Sequence, residues 1–339
     1  TRPLETYTEE EMGALLLLPG FVDVHIHAFK GMDAMQGEEA VRHMSRELKK
    51  VGVAAFLPTT MSASPEDTVR ALAGVKAVME RPEPDGAIVL GAHMEAPFLA
   101  EAKAGAQLKQ YFVDPDEENW QRYTCGLESV VRLITMAPER AGALAFISAL
   151  TKKGITVSIG HTTADAETTH AAAEAGATHV THTFNAQTPL NHRAPGVPGA
   201  ALVDDRLQCE VISDGIHLHP DIVKLIIRTK GKEKLVAITD AMEAAGMPDG
   251  QYQLGGQEVF VHEGAARLKD GTLAGSTLTM IRAFQNLIRF GATPEEAALM
   301  TTKTPALSIG NEELGEIELG APAIFSRFDE NYAFKGTVG

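Results

Sequence analysis

The stretch Gly20-Phe21-Val22-Asp23-Val24-His25-Ile26-His27 decides the reading of this chain, because it is a short apolar run that ends in two histidines one residue apart. In a β-strand, residues i and i+2 point to the same face, so both imidazoles project together from the strand's carboxyl end. Such a pair suits two metal ligands; it equally suits a hydrogen-bonded polar pair on a strand face. What separates the two readings is whether other potential ligands recur at the ends of later strand-like runs, and they do.

Seven further runs follow, at 54–60, 87–95, 130–136, 156–161, 179–182, 208–213 and 235–240. With 20–27 they make eight strand candidates. Most are continuous apolar or β-branched runs without strict alternation, the pattern of parallel strands covered on both faces. Helical segments lie between them. One opens at Ser64-Pro65-Glu66-Asp67, where Ser64 caps, Pro65 suits the first turn, and Val69, Leu72, Val75 and Met79 recur on one face. Another opens at Thr293-Pro294-Glu295-Glu296 with a capping-box pattern. Alternating strands and helices predict an α/β fold, a TIM-type (β/α)8 barrel over residues 19–305, with its site at the carboxyl ends of the strands. The termini, 1–18 and 306–339, read as short β-like pieces that form a small β-subdomain. Residues 251–274 read as strands and turns, with Asp270-Gly271 as a hairpin signal.

Composition narrows the function. The chain has 339 residues, 44% of them hydrophobic, enough to bury a large core in one main domain. A formal charge of −15 argues against nucleic acid and anionic membranes as partners, while leaving room for an anionic small molecule in a local cationic pocket. Cys125 and Cys209 are the only cysteines and lack metal-ligand spacing, so two free thiols in a reducing compartment are expected. The apolar run 14–18 is too short to span a bilayer, and a cytoplasmic location is expected.

The strand ends carry the chemistry. Strand one ends in His25 and His27, strand three in Glu95, strand five in His161, strand six in His182 and strand eight in Asp240. Imidazoles and carboxylates suit a divalent metal in a hydrolytic site. Read singly, each is a polar cap on a strand; that reading needs the coincidence to repeat on five strands of one barrel.

The segments PGFVDVHIH, GAHMEAPF, GHTTADA, THTFNAQTPLNHRAPG, SDGIHLHP, AITDAM and GTLAGSTLTM, in this order, resemble the N-acetylglucosamine-6-phosphate deacetylases of the amidohydrolase superfamily. The resemblance runs from about residue 18 to 280 and continues more faintly beyond. It implies that Glu95, His161 and His182 bind the metal common to the family, that His25 and His27 bind a second one, and that Asp240 is both the catalytic acid–base and a ligand. One or two divalent metals per chain are implied, zinc or iron first, manganese or cobalt as alternatives. Asn185, the backbone at Ala186, Arg193, His217, Gln107 and Gly275 are implied to contact an amino-sugar phosphate. In such relatives the arginine of the HRAPG loop reaches the neighbouring subunit's site, which implies a homodimer.

The chain departs from the family pattern in four places. Ala96 stands where glycine usually follows the glutamate, Gln107 where many members have histidine, and Ala28 where glycine is common; the region before PGFVD is also shorter than usual. None of these removes a ligand or Asp240. Three alternatives stay open at this point: the galacto epimer as substrate, a cyclic-amide or N-acyl-amino-acid hydrolase of the same superfamily, and a catalytically inactive binding barrel. Among the remaining histidines, His93 reads as a satisfied barrel-lining residue. His192 and His219 read as loop residues beside the site, and His43, His170 and His262 as surface residues.

Overall fold

A computed structural model describes residues 16–319 and 324–338. Eight parallel strands form its centre: β1 (Phe21–Ile26), β2 (Val53–Thr60), β3 (Ala92–Met94), β4 (Val131–Met136), β5 (Thr156–Ile159), β6 (His179–Val180), β7 (Gln208–Ile212) and β8 (Leu235–Ile238). Each pairs with its sequence neighbour from β1 to β8. The ring closes at the carboxyl end, where Asp240 N donates to His25 O at 2.8 Å and His27 N donates to Ala241 O at 3.0 Å. The expected (β/α)8 barrel is therefore the observed fold.

Each strand is followed by a helix: α1 (Glu38–Lys50), α2 (Pro65–Glu80), α3 (Glu117–Thr124), α4 (Ala143–Lys152), α5 (Ala166–Ala175), α6 (Gly196–Val203), α7 (Pro220–Lys234) and α8 (Met280–Phe290). Two more, α9 (Pro294–Thr301) and α10 (Lys303–Ser308), follow α8. The expected caps are present. Ser64 accepts from Asp67 N, and Thr293 with Glu296 closes a capping box. On α2, Leu72 and Val75 are buried and Val69 and Met79 half-buried, so the apolar stripe faces the barrel.

Three features depart from the strand-and-boundary pattern read from sequence. The third run breaks at Leu90-Gly91 into Ile88–Val89, which pairs with β2, and β3 proper. Helix α10 carries helical structure past the boundary expected at 305. His43, expected at the surface, is half-buried in α1.

Two three-stranded antiparallel sheets flank the barrel. Leu16–Pro19 pairs with Phe325–Phe328, which pairs with Phe334–Val338, so the first and last described segments share one sheet. Phe328 anchors it on the barrel, 6.1 Å from Phe21 and 5.1 Å from Phe284 between ring centroids. Residues 1–15, 320–323 and 339 of the expected β-subdomain lie outside the described residues. Gly250–Leu254, Gln257–His262 and Ala265–Arg267 form the second sheet, between β8 and α8. Its buried Leu254, Val259 and Val261 pack with Met61 and Met242 in a small apolar cluster beside the strand ends. No helix among the described residues is long and apolar enough to cross a membrane.

Candidate metal centre and active site

All six predicted ligands meet at the carboxyl end of the barrel, and all are buried. Glu95 is the hub. Its Oε1 lies 3.4 Å from His25 Nε2, 3.2 Å from His161 Nε2 and 3.1 Å from His182 Nε2, while its Oε2 lies 3.2 Å from His27 Nε2. Asp240 Oδ1 stands 3.2 Å from His27 Nε2 and 3.5 Å from His25 Nε2. The donors fall into two groups, His25–His27–Asp240 and Glu95–His161–His182, within which the ligand atoms lie no more than 4.8 Å apart.

The backbone explains the convergence. His25 and His27 share a face of β1, as the two-residue period requires. His161, His182 and Asp240 sit just past β5, β6 and β8 with φ of 46°, 30° and 51°. These are left-handed conformations that non-glycine residues seldom adopt and that cluster at functional sites. Gly160 makes room for one of these turns, because a Cβ there would stand 2.6 Å from Thr181 Cβ. Gly275, at φ 62°, approaches Asp240 in the same way; a Cβ there would lie 3.1 Å from the Asp240 carbonyl oxygen.

Each ring is oriented from behind. Nδ1 of His27 donates to Thr59 O at 3.2 Å, that of His161 to Lys103 O at 2.8 Å, and that of His182 to Asn185 O at 3.2 Å. His25 Nδ1 donates to the carboxylate of Glu210 at 3.1 Å. With Nδ1 carrying the proton, all four rings aim Nε2 at Glu95, the tautomer a metal ligand requires.

The electrostatics ask for positive charge at this point. Burial alone would push His25 down, yet the facing carboxylates of Glu95 and Asp240 outweigh it and hold the imidazole well above its ordinary range. Burial is likewise outweighed at His27, where hydrogen bonds to Asp240 and Glu95 raise it to about 9. Glu95 would be raised by burial, but His25, His161 and His182 hold it well below the usual carboxylate range. His25 Nε2 is buried and makes no hydrogen bond. A divalent cation meets that demand, and the donor set of imidazole nitrogens and carboxylate oxygens fits one.

The centre forms the floor of a cavity of about 550 Å³. Asn185, Ala186, His217, Gln107 and Gly275, the predicted substrate contacts, all line it. Gln107 hydrogen-bonds Glu95 and accepts from Ser62 N at 2.7 Å. His217 Nδ1 donates to Asp214 Oδ2 at 2.6 Å, which leaves Nε2 for the cavity. Arg193 is the exception: it lies on an exposed loop, does not line its own chain's cavity, and its guanidinium meets His192 Nε2 at 2.7 Å. His93 bonds Thr135 Oγ1 at 2.8 Å as a barrel-lining residue. His219 caps α7 and His170 pairs with Asp204.

The Amidohydrolase family model matches residues 16–336. The chain belongs to the amidohydrolase family. Members of this family are metal-dependent. Among similar proteins, the N-acetylglucosamine-6-phosphate deacetylase of Lysinibacillus sphaericus is 38% identical over 326 residues, covering 95% of this chain and 84% of that protein. The N-acetylgalactosamine-6-phosphate deacetylase of Escherichia coli O157:H7 is also 38% identical, over 92% of this chain and 83% of that one. A solved structure of the N-acetyl-D-glucosamine-6-phosphate deacetylase of Mycobacterium smegmatis, a mutant in complex with N-acetyl-D-glucosamine-6-phosphate, superposes with a TM-score of 0.91 at 33% identity. It covers 98% of this chain and 88% of that one.

Two residues that sequence reading passed over belong to the site. Neither Glu210 nor Asp214 lines the cavity, yet Glu210 fixes His25 of the buried donor cluster and Asp214 fixes His217 of the cavity wall. Glu210 had a visible signal: it is the single charged residue in the strand Gln208–Ile212.

Proposed function

We propose that this chain hydrolyses the N-acetyl group of N-acetylglucosamine 6-phosphate, giving glucosamine 6-phosphate and acetate. The observation that carries this is the convergence of six buried donors, Glu95 among them, from five strand ends, at the floor of a cavity lined by Asn185, His217 and Gln107. The chain's similarity to sugar-phosphate deacetylases over nearly its whole length supports the same reaction. The intact donor set argues against an inactive barrel.

An amide has a weak electrophile and a poor leaving group, so its hydrolysis needs an activated water, a stabilised oxyanion and a proton for the departing amine. One or two divalent ions, zinc or iron in our reading, with manganese or cobalt acceptable to the same donors, would be held by Glu95, His161 and His182 and by His25, His27 and Asp240. Such an ion supplies Lewis acidity, lowering the pKa of a water from about 15.7 towards roughly 7. Asp240, at the cavity edge beside His27, takes the water's proton and returns it to the sugar nitrogen as the tetrahedral intermediate collapses. His217, whose Nδ1–H is given to Asp214, presents Nε2 to a substrate hydroxyl as an acceptor. Gln107 and Asn185 border the space for the sugar.

Phosphate recognition falls to Arg193, whose planar fork matches two phosphate oxygens. Its position outside its own cavity supports the reading that it serves the partner site of a homodimer. The two free cysteines, Cys125 exposed and Cys209 buried, accord with a reducing, cytoplasmic setting.

The test is kcat/KM on four sugars: the 6-phosphates of N-acetylglucosamine and N-acetylgalactosamine, and both unphosphorylated parents. The gluco phosphate is expected to lead. A faster galacto phosphate would reassign the substrate, and equal rates with and without phosphate would remove phosphate from the recognition scheme.

A further inference from the structure

Glu210 lies in the middle of β7 between Cys209 and Val211, with no exposed surface. A buried carboxylate is costly unless it is paired, so its presence in a barrel strand calls for a partner that repays the desolvation. Its Oε2 accepts from His25 Nδ1 at 3.1 Å and stands 3.4 Å from the backbone N of His182; its Oε1 is buried with no hydrogen bond.

The comparison among the four rings makes this contact distinctive. His27, His161 and His182 give their Nδ1 protons to the neutral carbonyl oxygens of Thr59, Lys103 and Asn185. His25 gives its proton to a charged acceptor. A hydrogen bond to an ionised acceptor is stronger than one to a neutral carbonyl, and a carboxylate behind an imidazole raises the basicity of the opposite nitrogen. That opposite nitrogen, His25 Nε2, is buried, makes no hydrogen bond, and faces Glu95 Oε1 at 3.4 Å and Asp240 Oδ1 at 3.5 Å.

We propose that Glu210 is the positioning residue of the His25–His27–Asp240 half of the centre, and that its carboxylate sets how tightly this half holds a second divalent ion. The inference rests on the two-ion form of the function proposed above. Glu210 touches no substrate-facing surface and acts through one ring. The Glu95–His161–His182 half meets it only through the His182 backbone nitrogen, so the two halves should respond unequally to its loss.

Zinc is the probe. Wild type, Glu210→Ala and Glu210→Gln are stripped with a chelator, then titrated with zinc against a chromophoric competitor, and the bound ions are counted by elemental analysis. Wild type is expected to bind two ions. Glu210→Ala should keep the affinity for the first ion and weaken the second by about 10- to 100-fold, the cost usual for losing a partner behind a metal ligand. Glu210→Gln retains an acceptor without the charge and should fall between the two. Should the alanine variant fail to fold, the glutamine variant carries the test alone. Second-ion binding unchanged in the folded variants overturns the proposal. So do equal losses at both ions, which would make Glu210 a general support of the barrel. A wild type that never exceeds one ion removes the two-ion reading itself, and that failure is told apart because it appears before any substitution is made.

Discussion

The rim of the barrel and the loop that carries Arg193 are built on opposite plans. At the rim every reactive side chain is buried, each imidazole is pinned through Nδ1, and the carrier residues sit at or just beyond the ends of parallel strands. In the loop, residues 190–195 are exposed, and the Arg193 guanidinium meets only its neighbour's ring among the contacts described. The difference teaches where each part of the task is handled. Bond cleavage requires groups preorganised in a dry site, where charge interactions are strong and need no rearrangement. Recognition of a phosphate can be left to a loop that completes its site elsewhere, in our reading on a second copy of the chain.

The largest expected effect lies at the rim. Asp240→Asn keeps the shape of the side chain and removes its ability to take a proton, so kcat should fall by about 10²-fold or more while substrate still binds. Near-normal turnover would take Asp240 out of the proton transfer and blur the contrast with the loop.

Arg193→Ala tests the other side. It should raise KM for the phosphorylated sugar by about 2 to 5 kcal/mol, the range for truncating one partner of a hydrogen-bonded charge pair, and leave the unphosphorylated sugar almost unchanged. Mixing Arg193→Ala chains with Asp240→Asn chains should restore part of the activity, since one site of a mixed dimer then has both residues intact. No recovery in verified heterodimers would return Arg193 to its own chain.

Asp214→Asn is a smaller intervention, because it loosens His217 without removing it. The hydrogen bond to a charged partner is worth about 1.5 kcal/mol, so KM should rise roughly tenfold with little change in kcat. A loss confined to kcat would move His217 from binding to the chemical step.

The smallest effect concerns the anchor of the loop. Helix α6 follows the loop, and its end is tied down by Lys230 Nζ, which donates to Ala201 O and Asp204 O at 2.9 and 2.8 Å. Hydrogen bonds from Arg206, and then from His170, hold the Asp204 carboxyl well below its usual range. A carboxyl lowered in the folded state adds stability that is full above its unfolded pKa and fades as pH falls through the folded value. Asp204→Asn should therefore lower Tm at pH 7 by the equivalent of less than about 1 kcal/mol, as expected for a pair open to solvent on one side. The gap should begin to close below about pH 4. A gap independent of pH would assign the effect to packing.

Much of this was legible in the sequence, for reasons tied to particular residues. The run 20–27 shows a buried parallel strand because it is apolar apart from Asp23 and ends in polar groups, and the same grammar marks Glu95, His161, His182 and Asp240. Period and position suffice there, since strand ends of one barrel must meet. Glu210 and Asp214 were not legible in the same way. Glu210 finds His25 across 185 positions, and only the closed ring brings β7 to face β1. The break at Leu90-Gly91 and the helix past residue 305 depend on packing against neighbouring elements, which a local pattern does not encode. The outward placement of Arg193 is a property of an irregular loop, where no periodicity fixes direction.

Metal-dependent amide hydrolysis at the buried rim, in our reading on an amino-sugar phosphate, is open to direct measurement: acetate release from N-acetylglucosamine 6-phosphate is followed by proton NMR with untreated, chelator-stripped and zinc-restored protein. One acetate per glucosamine 6-phosphate formed, loss of turnover on stripping and its return with zinc are expected. Full turnover by protein verified to be free of metal, or no acetate from the metal-loaded protein, would contradict that reading.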